Sequence, residues 1–221
     1  MKITDRVQGF MWESLTANNC NTYLIDGAVR ILIDPGHRHL FNHVIEGLAD
    51  RGLEMDDIGM VLCTHGHPDH IESLGLFSDR PAQTAIHAAE WRFCEEMAPL
   101  LQSALGMTLD GLSPDILLTE GELTIGDVDL EVFHTPGHSP GSVCLYLPDE
   151  KMLITGDLIF KDGLGRTDLP GGNGAQIKES IRRMSRLDVA WVLPGHGDII
   201  AGTDAVQANF ERLEREWFAY V

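Results

Sequence analysis

The sequence predicts an α/β fold in which two β-sheets pack together with helices on their outer faces. Three observations predict it. Short apolar or alternating runs, bounded by Gly, Pro, Asn and Asp, recur in both halves of the chain. Each half then closes in segments whose apolar residues fall at helical spacing. The 221 residues are enough to bury a sizeable core, and no linker or internal repeat divides them. Residues 1–221 are therefore expected to form one domain.

Three strands are expected first, over 7–13, 21–25 and 29–33, the last two joined by the hairpin signal Asp26-Gly27. Asp34-Pro35-Gly36 then turns the chain. Leu40, Val44, Ile45 and Leu48 predict a helix over 39–51, ended by Gly52. Residues 58–63 are apolar and short enough for a buried strand. A helix start follows at 69–74, with Pro68 at or near its first turn. Residues 84–86 read as a short strand and 88–97 as a helix. Residues 98–112 are mixed and apolar, readable as a lid or as core. In the second half, strands are expected over 116–119, 122–125, 128–133, 143–147 and 152–155, with turns at Gly126-Asp127 and Pro148-Asp149. A helix over 175–187, a last short strand over 191–193 and a C-terminal helix over 203–220, capped by Thr203 or Asp204, complete the chain.

The chemistry concentrates at strand ends. Thr64-His65-Gly66-His67-Pro68-Asp69-His70 places three histidines and an aspartate on a strand-to-helix loop. His65 and His67 are two apart, so in an extended loop they point the same way. Three further strand-end loops each offer a His or an Asp beside Gly or Pro: His138 after Thr135-Pro136-Gly137, Asp157 after Gly156, and His196 between Gly195 and Gly197. Glycine lets the backbone bend sharply and come close to a site. The candidate metal ligands are thus His65, His67, Asp69, His70, His138, Asp157 and His196, all nitrogen and oxygen donors suited to zinc, iron or manganese. Asp34 is either a turn residue or a carboxylate that orients a ligand histidine. His37, His39 and His43 are expected in solvent, His87 in the core or at the rim, and His134 in a structural hydrogen bond. Arg166 and Asp168 read as an ion pair on a Gly- and Pro-rich loop, with a lean towards supporting the site.

His65-x-His67-x-Asp69-His70, then Thr135-Pro136-Gly137-His138, then Gly156-Asp157, then Pro194-Gly195-His196-Gly197 resembles the metallo-β-lactamase-fold superfamily in order and in loop position. Within it, residues 155–160 and Gly165-Arg166-Thr167-Asp168 resemble the glyoxalase II-like branch, which holds thioester hydrolases and the related persulfide dioxygenases. The resemblance implies a four-layer αββα sandwich and two divalent metal ions, zinc first. His65, His67 and His138 would hold one ion and Asp69, His70 and His196 the other, with Asp157 shared. It implies a metallo-hydrolase that cleaves a thioester or ester with an activated hydroxide, with Asp69 as the catalytic residue that both binds metal and orients the nucleophile. The alternative it implies is a mononuclear iron persulfide dioxygenase using His65, His138 and Asp157. Typical glyoxalase II has a C-terminal helical extension that binds glutathione. After His196 this chain supplies one expected helix with only Arg212 and Arg215 as basic groups, which points to a smaller or different thiol carrier.

The rest of the composition narrows the partners. A formal net charge of −18 speaks against nucleic acid or an anionic membrane, so a small-molecule substrate is expected. No run of about 20 apolar residues is present, and the first residues lack the apolar core of a signal peptide. A cytoplasmic location is expected, with Cys20, Cys63, Cys94 and Cys144 as reduced buried thiols. No Gly-x-Ser-x-Gly occurs, and none of the four cysteines has the context of a catalytic thiol.

Overall fold

The structure is a computed structural model and describes residues 1–14 and 16–221. The first sheet runs β1 (Val7–Phe10), β2 (Thr22–Ile25), β3 (Arg30–Ile33), β4 (Ile58–Cys63), β5 (Gln83–His87) and β6 (Ile116–Leu118), in space as in sequence. β1 to β3 form an antiparallel meander, and β3 to β6 are parallel. Parallel neighbours need long crossovers. These carry α1 (Asn42–Ala49), α2 (Pro68–Ile71) and α3 (Ala88–Leu105). The second sheet is built from β7 (Gly121–Ile125), β8 (Val128–His134), β9 (Val143–Leu147) and β10 (Met152–Gly156). A small hairpin of β11 (Ile159–Phe160) and β12 (Gly163–Leu164), then α4 (Gly174–Met184), lead to β13 (Trp191–Pro194), β14 (Ile200–Ala201) and α5 (Thr203–Arg212). Its strand order is β14-β13-β10-β9-β8-β7, with only β10 and β13 parallel.

The pleat sorts the apolar residues into three layers of core. Ile31, Ile33, Met60 and Leu62 meet Val143, Leu145, Met152 and Ile154 between the sheets. Their sequence neighbours Leu32, Val61 and Cys63 point the other way, onto Phe41, Val44 and Leu48 around α1. In the second sheet Cys144, Tyr146 and Leu153 face Ile177 and Ile181 of α4 and Val206 and Phe210 of α5. Strands buried on both faces read as unbroken apolar runs, and a fully buried Leu, Ile or Val contributes about 1.5–3 kcal/mol of transfer free energy. The result is the expected four-layer αββα sandwich.

The direction of the strands places the site. The carboxyl ends of β3 and β4 lie together because the two strands are parallel. The carboxyl ends of β8, β10 and β13 lie together because β8 and β10 both run against β9, and β13 runs with β10. Cross-links hold the two edges against each other. Val143 N–H donates to Thr64 O (2.9 Å), Asn21 N–H to Gly195 O (2.6 Å), and Tyr23 Oη to Pro194 O (2.8 Å). Asp34, the 64–70 loop, His138, Asp157 and His196 are therefore brought to one rim.

Several expectations need correction. The helix expected over 88–97 continues to Leu105 through Pro99, at the cost of a backbone bond that proline cannot make. Residues 98–105 are thus helix, while Met107 and Leu112 are core. The first helix starts only at Asn42, after a 3-10 turn over Arg38–Leu40. The last helix is capped by neither Thr203 nor Asp204: its cap position is Gly202, with no side-chain bond, and it ends in a π-helical turn over Leu213–Trp217. The pairs β11–β12 and β14 are too short for any sequence period to reveal. Nor is His43 simply solvated. Its Nδ1 bonds to Leu40 O (2.8 Å), its ring lies 5.0 Å from Trp12, and burial lowers its pKa. His37 is paired with Glu72 (2.8 Å). No described helix is long and apolar enough to cross a membrane.

Candidate metal centre

The 64–70 loop is held by its neighbours before any ion is considered. Thr64 N–H and Thr64 Oγ1 donate to the two oxygens of Asp34 (both 2.7 Å), and Gly66 N–H donates to Glu90 Oε1 (2.8 Å). Gly66 has no room for a side chain, since a Cβ there would run into Cys94 Sγ. Pro68 then opens α2, which keeps its φ and needs no N–H partner.

His65, His67 and His138 converge through specific ring nitrogens. His67 Nδ1 lies 3.1 Å from His65 Nε2 and 2.8 Å from His138 Nε2. The outer nitrogens are committed elsewhere. His138 Nδ1–H donates to Arg166 O (2.9 Å). Thr64 Oγ1 has given its hydrogen to Asp34, so it accepts from His65 Nδ1–H (3.1 Å). Both bonds leave the Nε2 lone pairs aimed inward, the tautomer a metal ligand needs. Burial, aided by neighbouring histidines, lowers the pKa of His65 and takes His67 down to about 4. These rings stay neutral at neutral pH and present lone pairs.

A second convergence joins Asp69, His70 and His196. His196 Nε2 lies 3.3 Å from Asp69 Oδ2, and Asn18 Nδ2 donates to the same oxygen (2.6 Å). His70 Nδ1–H donates to Asp34 Oδ2 (3.0 Å), which turns Nε2 towards the cluster. Asp34 thus fills both roles considered for it. It makes the turn at φ +52°, and it orients His65 through Thr64 and His70 directly. Asn tolerates that backbone but offers one acceptor oxygen where Asp offers two. Asp34→Asn is expected to weaken metal affinity about 10–100-fold, read by competition with a chromophoric chelator.

Asp157 stands between the two groups. Its Oδ2 is 3.6 Å from His138 Nε2 and 3.4 Å from His196 Nε2, and its Oδ1 is 3.4 Å from His70 Nε2. His70 Nε2 and Asp157 Oδ1 are buried and have no hydrogen-bond partner. The charges call for a cation. Burial alone would raise Asp157, but His70 and His196 hold it well below the usual carboxylate range. Burial likewise opposes ionised Asp69, yet His196 and His70 keep it low. In return, and against burial, Asp157 and Asp34 push His70 up, and Asp157 and Asp69 push His196 up to about 9. Converging lone pairs, orphaned buried atoms and three carboxylates in Asp34, Asp69 and Asp157 fit divalent cations with nitrogen and oxygen ligands. Ligand atoms of the His65, His67, His138 group lie within 4.8 Å of one another, as do those of Asp69, His70, His196 and of His65, His70, Asp157.

The family model described as the metallo-beta-lactamase superfamily matches residues 15–196, a span that holds all seven of these side chains. The chain belongs to the metallo-β-lactamase superfamily. Within it the likeness to the glyoxalase II-like branch also holds. Hydroxyacylglutathione hydrolase GloC of Haemophilus influenzae is 31% identical over 186 residues, covering 81% of this chain and 85% of that protein. A probable metallo-hydrolase of Methanocaldococcus jannaschii is 36% identical over 185 residues, covering 81% of this chain and 88% of that protein. Among solved structures, TTHA1623 in a di-iron-bound form superposes with a TM-score of 0.72 at 29% identity, covering 86% of this chain and 93% of that one.

Two residues that organise the candidate site, Glu90 and Asn21, carry no signal in the sequence. Glu90, in the first turn of α3, is 1% exposed. Its Oε1 accepts from Gly66 N–H, and its Oε2 accepts from Gly141 N–H (2.7 Å) and Ser139 Oγ (2.8 Å). One carboxylate therefore ties the loop of His65 and His67 to the loop of His138. Nothing in a helical Ala-Ala-Glu signals this, because its partners, two backbone N–H groups and Ser139 Oγ, are remote in sequence. Asn21 is the second such residue. Its side chain donates to Pro194 O and Gly197 O and so fixes the His196 loop.

The Arg166–Asp168 pair is bidentate and exposed, so its own contribution is small. The loop supports the site through Arg166 O instead. His134 Nε2 bonds to Pro140 O (2.9 Å), and its ring stacks on His87 at 4.5 Å. His37, His39 and Glu72 form a group of their own that shares none of the seven residues. All four cysteines are free and buried, and burial raises their thiol pKa values, Cys94 to about 12. None supplies a thiolate at neutral pH.

Proposed function

We propose that this chain is a binuclear metallo-hydrolase that cleaves thioesters or esters. The observation that carries the reading is the position of Asp157, one carboxylate facing histidines of both groups. His65, His67 and His138 would hold one ion, Asp69, His70 and His196 the other, and Asp157 both. Zinc, iron and manganese all suit these donors, and the relative captured with two irons supports two ions. Bound divalent ions would supply Lewis acidity and water acidic enough to ionise near neutral pH.

The protein's own groups do the rest. Thr64, Asp34 and Arg166 O hold the ligand rings in the tautomers that face inward. Asn18 orients Asp69. Asp69, fixed by that bond, would bind metal and orient the attacking water. The substrate reaches these groups through a cavity of about 720 Å³ lined in part by His67, Asp69, His138, Asp157 and His196.

Metal content of anaerobically purified protein, measured beside thioester cleavage and O₂ uptake on the same sample, tests the proposal. Two metals per chain with cleavage and no O₂ uptake is the expected result. One iron per chain with persulfide-dependent O₂ uptake would overturn it in favour of a dioxygenase.

A further inference from the structure

The cavity over the metal centre has a second wall that the hydrolysis itself does not use. Phe93, Met97, Leu100, Leu101, Ala104 and Leu105 line it from α3. Their spacing is i, i+4, i+7, i+8, i+11 and i+12, one continuous stripe of a helix. From Phe93 to Leu105 the stripe extends about 18 Å. Phe160, Leu164, Leu169 and Pro170 face the same space. Leu100 and Leu105 are 48% and 64% exposed, an arrangement that gives water no compensation for two large apolar side chains beside a reactive site.

The polar lining is sparse. Glu90 is committed to its three donors, and Arg166, the only Lys or Arg of the lining, is held by both oxygens of Asp168. A carrier with several carboxylates finds little there to neutralise it, whereas a hydrocarbon chain finds a trough leading away from the metal ligands.

Resting on the hydrolase reading, we propose that the acyl part of the substrate is an unbranched apolar chain of medium length, laid along the α3 stripe with its carbonyl at the Asp157 end. The chain removes the α3 leucines from water, and specificity then depends on chain length more than on the thiol carrier. Each buried CH₂ is worth about fourfold in transition-state binding.

The test uses the metal-loaded protein and S-acyl-N-acetylcysteamine thioesters of two to twelve carbons, an uncharged carrier. From a four-carbon to an eight-carbon acyl group, kcat/KM is expected to rise at least about tenfold. The non-cleavable thioether S-decyl-N-acetylcysteamine, followed by calorimetry, is expected to bind with a negative heat-capacity change and more tightly than its S-butyl counterpart. Leu100→Gln with Leu105→Gln, both at exposed positions outside the core, flattens both dependences. Leu117→Gln, an exposed leucine on β6 outside the cavity, leaves them as they are. Cleavage that is equally fast at two and ten carbons, with thioether affinity independent of length, would overturn the acyl trough and leave the hydrolase standing. Length-dependent thioether binding without cleavage at any length would sink the hydrolase and keep the trough. Self-association abolished by the Leu100 and Leu105 changes would give the stripe to a second copy of the chain and overturn the proposal.

Discussion

Asp157→Ala is expected to abolish metal-dependent hydrolysis and to erase the stabilisation that metal confers. The carboxylate faces His70, His138 and His196 at 3.4–3.6 Å, so its loss strips both groups of a shared ligand. The drop in metal affinity should exceed the roughly 10–100-fold that loss of a supporting residue produces. Ligand binding stabilises a native state by about 4 kcal/mol at a thousandfold excess over Kd. For a chain of this size that corresponds to roughly 10 °C in Tm. The measurement is differential scanning calorimetry with and without added zinc. The parent protein should gain that increment and the variant should not. A variant that still gained it would show that metal binds elsewhere, and the assignment of the seven residues would fall. Metal-free variant should melt below metal-free parent, because removing one partner of a buried pair leaves His70 and His196 with fewer carboxylates, so the readout is the increment that zinc adds to each form.

Glu90→Ala should be the most destabilising single change near the site that touches no proposed ligand. It leaves the backbone N–H groups of Gly66 and Gly141 buried without acceptors, while Ser139 Oγ keeps Ser142 Oγ at 2.6 Å. A buried donor left unpaired costs about 1–3 kcal/mol, so the two together cost roughly 2–6 kcal/mol. A shift of that size is read from the midpoint of urea unfolding. Glu90→Gln retains one acceptor oxygen and should lose less. A positioning role makes a further demand that general stability does not. Folded Glu90→Gln should bind zinc more weakly, by about 10–100-fold, while Ser139→Ala, which touches only one loop, should stay close to the parent. Equal affinity in all three proteins would leave Glu90 a structural residue alone.

What the amino-acid sequence determined by itself was local in origin. Apolar runs bounded by turn residues specified the strands of both sheets except β14, because a strand buried on both faces must be apolar throughout. Histidine and aspartate beside Gly or Pro at strand ends marked His65, His67, Asp69, His70, His138, Asp157 and His196 as candidate ligands, because groups that share an ion must sit where the backbone can turn towards a common point. Tertiary structure decided what depends on contacts between distant segments. The bond from Glu90 to Gly66 and Gly141, and that from Asn21 to the His196 loop, pair side chains with backbone groups that carry no residue-specific signal. α3 continues past Pro99 to Leu105, where only Leu101 touches the core and the other apolar residues line the cavity, an outcome no local propensity specifies. His43 lost its expected solvent to Trp12, and Arg166 serves His138 through a carbonyl that any residue would offer. The choice of tautomer at His65, His70 and His138 belongs to the same class, since it follows from which neighbour the outer nitrogen meets once the two sheet edges close on one another.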